Sequence, residues 1–405
     1  MKVAIIGGGA AGFFTAISCK THNPGAEVVI LEKSDKLLAK VKISGGGRCN
    51  VSHACFHIPT LVKFYPRGEK QLKKAFGFFN TKDTVKWFEE RGVLLKTETD
   101  NRMFPVTDNS QTIIDCLLNE TRRLGIEIRK RSTVSSIQNG SDSFELMVNR
   151  EPFIADKVVI ATGGSPKLEG FNWLRQLGHR IEPPVPSLFT FNMPQESIRS
   201  LMGLVADPVT IRIQGTKLES TGPLLVTHWG MSGPAALRLS AFGARILNDL
   251  NYQFKVQINW LGSIKEEEAR QLLNELSENI GNRKVTNKNP FQLPSRLWMF
   301  LLEKVNIDQQ VSWNNLGKKN LNRLLNVLLN DVYQVSGKTT FKEEFVTCGG
   351  VSLENVSMRT MESNKCPGLY FAGEVLDIDG VTGGFNFQAA WTTGFIAGKL
   401  SSHMN

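Results

Sequence analysis

The pattern of apolar and polar positions at the start of the chain predicts a strand, a glycine-rich turn, a helix and a second strand. The apolar run at residues 3–6 has the length of a buried parallel strand, and a helical pattern follows the glycines as far as about Lys20. A second apolar run, residues 28–31, ends in Glu32. Because short, continuously apolar strands flank a helix, the segment is typical of a βαβ unit in an α/β fold.

Helical and strand patterns continue to alternate up to about residue 164. A buried strand within residues 156–164 again runs into glycines, so the chain returns to its first sheet after a β-hairpin with a turn at residues 139–140. We expect residues 101–105 to form a loop. The other predicted elements are helices at 69–79, at 82–91 and from Asp108 or Asn109 to about Arg123, and strands at 126–129, 133–137 and 144–148.

The periodicity changes at about residue 188. Alternating segments predict a small antiparallel sheet or barrel, and amphipathic patterns after it predict helices. The chain then returns to the pattern of its first residues, with predicted strands at 341–346 and 368–374 and a predicted helix of small residues at about 389–399. The alternating segments are 188–193, 208–214, 222–228 and 252–260, and the amphipathic patterns are 264–280, 293–305 and 315–333.

These patterns predict one domain that is discontinuous along the chain. We expect residues 1–187 and 341–405 to build it together. The inserted part divides into a barrel-like unit, residues 188–262 plus about 334–340, and a helical subdomain, residues 263–333. A chain of 405 residues is long enough for several cores.

The first glycine turn has the spacing of a dinucleotide site. Gly7 permits the tight turn, Gly9 lets the backbone approach a pyrophosphate, and Gly12 allows the helix to pack close to the strand. The helix N-terminus offers free N–H groups to the phosphates. Glu32 follows about 20 positions later, where a carboxylate accepts hydrogen bonds from the adenosine ribose, which favours FAD or NAD over NADP. The alternative, an ordinary glycine turn, does not explain the glycines together with the acid.

A second glycine-rich loop, residues 44–50, contains three consecutive glycines that let the backbone lie flat against a planar ring or a phosphate. Arg48 adds a fixed charge, and Asn50 adds a side chain that both donates and accepts hydrogen bonds. Cys49 has two interpretations: its sulfur does redox chemistry, or it is a small side chain packed beside a cofactor. A flexible linker would not need these three side chains together.

Two further glycine-rich segments, residues 161–164 and 373–388, follow predicted strands. The second opens a helix and so forms another anion site. One βαβ unit normally satisfies NAD, whereas a long cofactor contacted by both ends of the chain suits FAD. The sequence contains no second GxGxxG motif after residue 12, so we do not expect a dedicated nicotinamide domain.

Composition limits the class of protein. Hydrophobic residues make up 41% and charged residues 21% of the chain, as in globular proteins, and no apolar run approaches the ~18–20 residues of a membrane span. The first strand begins at residue 2 or 3, so we expect no signal peptide and a cytoplasmic location. Six cysteines without a CxxC pair indicate reduced thiols and no zinc or other metal site.

The formal charge is +10, and residues 36–74 contain nine Lys or Arg against one acid, Glu69. A basic segment of this kind attracts nucleic acid, anionic substrates or a cofactor's phosphates. Aromatic residues are not regularly interleaved with these cations. We therefore expect a solvated basic face and favour a small-molecule substrate over a nucleic-acid partner, and the sequence leaves the oligomeric state open.

Six sequence motifs are shared with a known family. They are GGGAAG (7–12), KISGGGRCN (42–50), RMFPV (102–106), ATGG (161–164), THWGMSGPAAL (227–237) and GLYFAGEVLDIDGVTGGFNFQAAWTTG (368–394). With them, essentially the whole chain resembles the bacterial YhiN/BaiN-type flavoproteins, NAD(P)/FAD-dependent oxidoreductases of the two-dinucleotide-binding-domain superfamily. The resemblance implies an α/β fold: an FAD-binding Rossmann-like domain of glutathione-reductase type, made of the two chain ends, with an inserted β-barrel and helical subdomain.

The resemblance also assigns roles to residues. It implies that residues 7–12 lie at the pyrophosphate, that Val134 contacts adenine through its backbone, and that residues 373–374 contact the ribityl chain or a phosphate. Residues 46–50 would border the flavin ring, and residues 383–387 its pyrimidine edge. The full set of expected FAD contacts is Gly7, Gly9, Ala10, Ala11, Gly12, Glu32, Lys33, Gly45, Gly46, Gly47, Arg48, Cys49, Asn50, Val134, Ala161, Thr162, Gly163, Gly373, Glu374, Asp379, Gly383, Gly384, Phe385, Asn386 and Phe387.

For the chemistry, the resemblance implies reduction of an activated C=C bond in a small molecule through flavin N5, with NADH or NADPH as a transient donor. The candidate catalytic residues are His228, Arg48 and Cys49. His228 has a side chain suited to acid–base catalysis, and the alternative is a structural role. Arg48 either orients an anionic or carbonyl substrate or makes structural contacts. Two rivals remain: a flavoenzyme that acts on RNA, and a protein that binds FAD without turnover.

Overall fold

The computed structural model describes residues 1–140, 142–279, 281–339 and 346–401. The chain divides into two compact units. Unit 1 comprises Met1–Ser187 and Lys342–Asn405, and unit 2 comprises Leu188–Phe341. Each unit has its own main sheet.

Short strands and helices alternate along the described chain. The strands are β1 (Lys2–Ile6), β2 (Glu27–Leu31), β3 (Ser52–His53), β4 (Leu95–Thr97), β5 (Arg102–Pro105), β6 (Glu127–Arg129), β7 (Val134–Asn139), β8 (Phe144–Val148), β9 (Glu151–Ala155), β10 (Lys157–Ile160), β11 (Ile181–Ser187), β12 (Thr190–Asn192), β13 (Val205–Ile213), β14 (Glu219–Val226), β15 (Gly230–Ser232), β16 (Gln253–Asn259), β17 (Asp331–Ser336), β18 (Lys338–Thr339), β19 (Val346–Val351) and β20 (Leu369–Phe371). The α-helices are α1 (Ala10–His22), α2 (Ala39–Gly47), α3 (Ile58–Leu61), α4 (Glu69–Ala75), α5 (Thr81–Glu89), α6 (Ser110–Arg123), α7 (Asn172–Gln176), α8 (Pro234–Asp249), α9 (Glu266–Asn279), α10 (Ser295–Lys304), α11 (Gly317–Asn330) and α12 (Phe385–Gly398).

The main sheet of unit 1 has five parallel strands in the order β20–β10–β1–β2–β6. Strand β1 lies in the middle, with Val3 opposite Lys157 of β10 and Val28 of β2. Val3, Ala4 and Ile5 are completely buried, as expected for a strand inside a parallel sheet. Because β20 comes from the C-terminal part of the sequence, both ends of the chain share one sheet. The predicted α/β fold with a parallel core is therefore confirmed.

Helices α1 and α12 pack closely because glycines lie where they meet. A Cβ on Gly394 of α12 would lie 2.9 Å from the carbonyl oxygen of Ala11, and a Cβ on Gly398 would lie 2.5 Å from that of Thr15. Residues with side chains do not permit such short separations between two helix backbones. The first and last helices of the chain are thus held together within unit 1.

The chain leaves and re-enters unit 1 at neighbouring points. Strands β11 and β19 pair antiparallel, and Ser187 lies opposite Val346 in their register. Two small antiparallel sheets complete the unit, in the orders β3–β5–β4 and β7–β8–β9. The insertion of unit 2 therefore begins and ends at adjacent positions of one two-stranded sheet.

Unit 2 contains a seven-stranded antiparallel sheet in the order β17–β16–β13–β14–β15–β12–β18. Its apolar face and the apolar faces of α10 and α11 contribute to one continuous core, to which Ile211, Val256, Leu301 and Leu328 belong with 0% exposure. The amphipathic patterns predicted as helices are confirmed as α9, α10 and α11. One core therefore serves both the part predicted as a barrel-like unit and the part predicted as a helical subdomain.

Some element boundaries differ from the sequence-based expectation. Residues 102–105, expected to be a loop, form β5 because they pair with both β3 and β4. The helix expected over residues 315–333 ends at Asn330, since Asp331 is buried and accepts hydrogen bonds from Trp260 Nε1 at 3.0 Å and Lys304 Nζ at 2.5 Å. Strand β17 begins at this anchored aspartate.

Further differences concern helices. α12 begins at Phe385 instead of residue 389, because the glycine pair before it already turns the chain into the helix. α8, whose Ala-rich segment follows Gly233, has no counterpart in the sequence-based expectation. The strand expected at 341–346 lies outside the described residues apart from Val346.

Candidate functional site

The first turn of unit 1 gives its three glycines distinct surroundings. Gly7 has a φ of +117°, and a Cβ there would overlap the backbone of Ala161. A Cβ on Gly12 would overlap Gly7 O, so α1 packs directly on the turn. Gly9 precedes the first residue of α1, and no described atom lies within 4 Å of the position of a Cβ. The helix N-terminus is therefore open to a phosphate group.

Glu32, directly after β2, has a carboxylate fixed by nearby donors. Gly8 N–H donates to Oε2 at 2.7 Å, and the N–H and hydroxyl of Ser34 both donate to Oε1 at 2.8 Å. Oε2, which accepts only one of these hydrogen bonds, retains a lone pair for a further donor. Ser132 N–H donates to Glu32 O at 2.8 Å, which brings Val134, the first residue of β7, to the same end of unit 1.

The four glycine-rich segments predicted from the sequence meet in unit 1. Gly7 contacts the turn at residues 161–164, as described above. A Cβ on Gly373 would lie 2.7 Å from the Cβ of Ala11, and a Cβ on Gly384 would lie 2.5 Å from Ser52 O, just after the loop at 44–50. We call the backbone of residues 7–12, 44–50, 161–164, 373–374 and 383–387 the glycine-rich surface.

The loop at residues 44–50 contributes backbone to this surface, because the chain leaves helical dihedral angles at Ser44, within the last residues of α2. Gly45, Gly46 and Gly47 have φ of +59°, +70° and +85°, a run of left-handed conformations that glycine adopts without strain. No described atom lies within 4 Å of a Cβ built on Gly46 or Gly47, and the same holds for Gly163, which has a φ of +74°. Ala161 before it is buried, whereas the side chain of Thr162 is exposed.

Cys49, within this loop, has a completely buried side chain. Burial raises the pKa of its thiol to about 12, and a hydrogen bond with Ser44 opposes the shift. A thiol in this state is a poor nucleophile near neutral pH, since reactivity belongs to the thiolate. Of the two interpretations of Cys49, the structure favours the packed side chain.

Arg48 belongs to a network of charges. Its guanidinium donates to Glu98 at 2.5 Å, lies 3.5 Å from Asp108 and is 4.0 Å from the ring centroid of Phe104. Glu98 and Asp108 also pair with Arg102 and with Lys96, respectively. These contacts favour the structural interpretation of Arg48, because its charge already has two carboxylate partners.

Glu374 connects three segments of unit 1. It accepts a hydrogen bond from Thr347 N–H at 2.9 Å and pairs with Lys40 Nζ at 2.7 Å, and a Cβ on Gly164 would lie 2.9 Å from its Oε1. Thr347 is completely buried, and its hydroxyl has no hydrogen-bond partner among the described residues. Lys33, by contrast, projects into solvent. A buried hydroxyl without a partner marks a place where a bound group completes the hydrogen bonding.

The start of α12 is held by polar contacts from both sides. Gly383 and Gly384 precede it with φ of +118° and +93°. The Asn50 amide, oriented by its neighbours, accepts from Gly384 N–H at 3.0 Å. Asn386 accepts from Gly380 N–H at 2.8 Å and donates to Gly380 O at 2.9 Å. The direction of the N-terminal N–H groups of α12 is thereby fixed.

Aromatic rings pack beside this helix start. The buried ring of Phe385 stacks on both His53 and Phe64, with ring centroids 4.6 and 4.4 Å away, and those two rings are also in contact, with centroids 5.7 Å apart. The ring of Phe387 stacks on Trp391 at 5.6 Å. The ring of Phe385 lies beside the glycine-rich surface, since its Cε2 is 3.3 Å from the position of a Cβ on Gly383.

Asp379 is completely buried, and its carboxylate pairs with Arg67 and accepts a hydrogen bond from Ser187 at 2.7 Å. Burial raises the pKa of this carboxyl group, and the Arg67 guanidinium opposes that shift. The Asp379 carboxylate thus already has two partners, and its expected contact with a cofactor stays a prediction. The residue anchors the loop that leads to α12.

His228 lies in unit 2, directly before an exposed tryptophan. Its ring centroid is 4.4 Å from that of Trp229, whose side chain is 46% exposed, and its carbonyl oxygen accepts a hydrogen bond from Arg199 Nε at 2.8 Å. These three residues line a cavity of about 240 Å³ together with Asn192, Pro194 and Ser336. The side chain of His228 is exposed.

Sequence reasoning missed several residues at the glycine-rich surface. Lys40, Thr347 and His53 lie beside it, and His53 Cδ2 is 3.6 Å from the position of a Cβ on Gly383. None of them belongs to a glycine motif. Their positions depend on contacts between segments far apart in the sequence, which a local pattern does not record.

The residues present fit an FAD molecule. One surface, formed by segments distant in the sequence, contains open backbone positions and two helix N-termini. It also contains the Glu32 carboxylate, which can accept a hydrogen bond from a ribose, and the buried Thr347 hydroxyl, which has no partner among the described residues. This fold and surface define an FAD-dependent oxidoreductase.

Comparison with known proteins agrees with that class. Residues 1–400 match the HI0933-like protein Rossmann domain family, and the chain belongs to this family. The 3-dehydro-bile acid delta(4,6)-reductase of Clostridium scindens is 26% identical over 409 residues, with 99% of both chains covered. The ribosomal RNA dihydrouridine synthase of Escherichia coli is 32% identical over 398 residues, which cover 96% of this chain and 95% of the relative.

The fold is also similar to that of a solved steroid enzyme. The 3-ketosteroid-delta4-(5alpha)-dehydrogenase of Rhodococcus jostii RHA1 superposes with a TM-score of 0.53 at 12% identity, covering 98% of this chain and 96% of the other. At that identity the likeness concerns the fold alone. None of the described helices is long and apolar enough to cross a bilayer.

Proposed function

We propose that FAD binds in extended form along the glycine-rich surface of unit 1. The N-terminus of α1 at Gly9 holds the pyrophosphate, and Glu32 and the backbone at Val134 hold the adenosine. The N-terminus of α12 and the loop at 44–50 border the flavin ring. The observation that carries this assignment is that four glycine-rich segments meet in unit 1, and three of them have positions open to a ligand, at Gly9, Gly46, Gly47 and Gly163.

The bound flavin supplies hydride transfer at N5. The residues of this chain supply position and charge. The positive end of the α12 dipole stabilises negative charge on the pyrimidine side of the ring. Asn50 and Asn386 keep that helix start in place, and Cys49 and Arg48 keep the shape of the glycine loop beneath it.

The reaction that we propose is reduction of a C=C bond conjugated to a carbonyl group. The reactions stated in the names of the two relatives both have this chemistry. A delta(4,6)-reductase of a 3-dehydro-bile acid acts on double bonds that are conjugated with the C3 ketone. Dihydrouridine differs from uridine by two hydrogens at the C5=C6 bond, which is conjugated with the C4 carbonyl. In uracil the hydride adds to the carbon β to the carbonyl, and in a 4,6-dien-3-one it adds to the β or the δ carbon, according to which double bond is reduced. In each case a proton adds to the other carbon of the reduced double bond.

The first candidate substrate is a uridine in ribosomal RNA. The relative with that name is the more similar of the two in identity, at 32% against 26%. The formal charge of +10 suits a polyanionic substrate, because cations on the protein release counterions from RNA. This reverses the order that the sequence alone suggested, which relied on aromatic spacing within residues 36–74.

The second candidate is a small unsaturated ketone. It is favoured by the near-complete coverage of both chains in the match with the bile acid reductase. For either substrate we assign His228 as the proton donor and the exposed face of Trp229 as a planar surface for the substrate ring. NADH or NADPH is the proposed electron donor.

Anaerobic stopped-flow spectroscopy tests the function. The purified protein is loaded with FAD, reduced with NADH or NADPH, and mixed with ribosomal RNA transcribed in vitro or with a 4,6-dien-3-one steroid. We expect RNA to reoxidise the flavin and to gain dihydrouridine, detected by mass spectrometry of its nucleosides. Reoxidation by the steroid alone would select the second candidate. A flavin that stays reduced with both compounds would contradict the proposed reaction.

A further inference from the structure

The solvent face of α11 in unit 2 is uniformly basic or amide. Its apolar side, with Leu324, Leu325 and Leu328 buried, packs into the core of unit 2. Its exposed side chains recur at i and i+4, so they line one face of the helix. We call this set the α11 face: Lys318, Lys319, Asn322, Arg323, Asn326 and Asn330. It contains three cations and three amides and no acid.

The three cations of this face are not neutralised by carboxylates. Within the described part of the chain, no ion pair involves Lys318, Lys319 or Arg323. Two nearby cations differ in this respect, because Arg270 pairs with Glu266 at 2.7 Å and Lys304 pairs with Asp331 at 2.5 Å. A row of unpaired, exposed cations creates a positive potential that attracts a polyanion.

The sequence segment that contains α11 is also basic, whereas α9, whose Arg270 donates a hydrogen bond to Asn322 of the face at 2.7 Å, carries five glutamates. Residues 281–330 contain eight Lys or Arg against two acids, a net +6 within a chain of +10. The strand-like segment with Arg283 lies beside the start of α11, since Trp313 N–H donates to Arg283 O at 3.1 Å. A polar cavity of about 350 Å³ adjoins the face, with Lys318 and Asn322 in its wall.

We propose that the α11 face docks the sugar–phosphate backbone of the RNA substrate. This inference rests on the proposed function with RNA as substrate. Lys and Arg contact phosphate oxygens, and asparagine amides donate to phosphates and exchange hydrogen bonds with ribose hydroxyls. Contacts of this kind fix the position of the RNA without reading its sequence. The face therefore holds the RNA body, while reduction of the uridine takes place at the flavin.

The test compares two triple variants with the same change in charge. Lys318→Ala, Lys319→Ala and Arg323→Ala remove the cations of the face, and alanine preserves the helix. The matched control replaces three exposed lysines elsewhere, Lys130, Lys217 and Lys255, with alanine. FAD content and the thermal unfolding midpoint of each variant show that folding and cofactor binding are retained.

RNA binding is measured by fluorescence anisotropy with a labelled ribosomal RNA fragment over a range of salt concentrations. For the α11 variant we expect affinity to fall at least about tenfold at low salt. The slope of log K against log salt should decrease in magnitude by about 2 to 3, because each phosphate contact contributes about 0.7 to 0.9. The control variant should keep most of the affinity of the original protein.

Turnover measured in parallel separates this inference from the proposed function. If the original protein binds RNA through α11 but RNA does not reoxidise its flavin, the docking surface stands and the proposed reaction on RNA fails. If RNA reoxidises the flavin and the α11 variant matches the control in affinity and salt slope, the reaction stands and the docking surface is wrong. Absence of RNA binding by the original protein at low salt would overturn both.

Discussion

At the scale of single residues, two glycines separate the folding role of the first turn from its binding role. Gly9 has extended dihedral angles and open space around it, so Gly9→Ala should leave the unfolding free energy of the apoprotein nearly unchanged. We expect it to weaken FAD binding at least about tenfold, or about 1.4 kcal/mol, because the new methyl group takes the place of the pyrophosphate. Titration of the apoprotein with FAD measures this.

Gly12→Ala is the matched variant. Its Cβ would overlap Gly7 O, so the helix must shift away from the turn. We expect an unfolding cost of about 1 to 3 kcal/mol, typical of overpacking, measured by urea denaturation of the apoprotein. Equal effects of the two substitutions on both stability and FAD affinity would contradict the separate roles.

Cys49 should be inert in the folded protein. With a pKa of about 12, its thiolate fraction at pH 8 is on the order of one in ten thousand. Iodoacetamide at pH 7 to 9 should therefore leave Cys49 unmodified until urea unfolds the chain, as peptide mass spectrometry can show. Cys49→Ala should retain flavin turnover. Rapid native alkylation, or loss of turnover in a variant that still binds FAD, would restore its redox interpretation.

His228 should act only in the step that involves the oxidised substrate. We expect His228→Gln to slow reoxidation of the flavin by substrate about 10²- to 10⁴-fold, the usual contribution of a positioned acid. Reduction of the flavin by the nicotinamide should stay unchanged, as should both steps in the control His57→Gln. Stopped-flow rates decide the matter, and equal rates for His228→Gln and the control would exclude the histidine as proton donor.

The residues that sequence reasoning found are those whose role depends on local spacing. Gly7, Gly9, Gly12 and Glu32 form one short strand–turn–helix–strand unit, so their positions follow from the chain alone. Thr347 could not be found in this way, because its buried hydroxyl is defined by segments that approach it from elsewhere in unit 1.

At the scale of elements, the loop before α12 depends on a buried ion pair. Arg67→Ala leaves the Asp379 carboxylate buried without its cation, which should cost about 3 to 5 kcal/mol of unfolding free energy. The double variant Arg67→Met, Asp379→Leu should recover most of that loss, because no unpaired charge remains. Urea unfolding of the apoprotein compares them. A double variant as unstable as Arg67→Ala would show that the pair has another role.

The elements that the sequence mispredicted were decided by pairing between distant segments. Residues 102–105 contain Pro105 and looked irregular, yet β3 and β4 pair with them on both sides. The helical pattern of α11 runs past residue 330, but buried partners hold Asp331 and start a strand. Helices α5 and α6 were predicted correctly because the local sequence alternates apolar and polar residues with the period of a helix.

At the scale of the whole molecule, the discontinuous arrangement of unit 1 predicts that it folds without the insertion. Ser187 and Val346 are opposite each other in an antiparallel pair, so a two-residue Asn-Gly turn can join them. We expect the shortened protein, residues 1–187 and 346–401, to unfold cooperatively and to bind FAD within about tenfold of the full chain. A folded product that takes up no FAD would show that unit 2 supplies part of the site.

The sequence also indicated this arrangement, because glycine motifs typical of one cofactor occur at both ends of the chain. The sequence could not show which of the cations form ion pairs in the folded protein. Three of the nine cations at residues 36–74, Lys40, Arg48 and Arg67, form ion pairs within the described chain. The cations of α11 occur in a segment that looked like an ordinary amphipathic helix.

A crystal structure of the FAD-loaded protein tests the central claim most directly. The account predicts electron density for one extended FAD along the glycine-rich surface. Its pyrophosphate should lie within hydrogen-bond distance of the N–H groups at the start of α1, and the pyrimidine side of its ring should lie at the start of α12 beside the loop at 44–50. An FAD molecule bound elsewhere, or one that contacts only the first turn and leaves the C-terminal segments empty, would contradict the account.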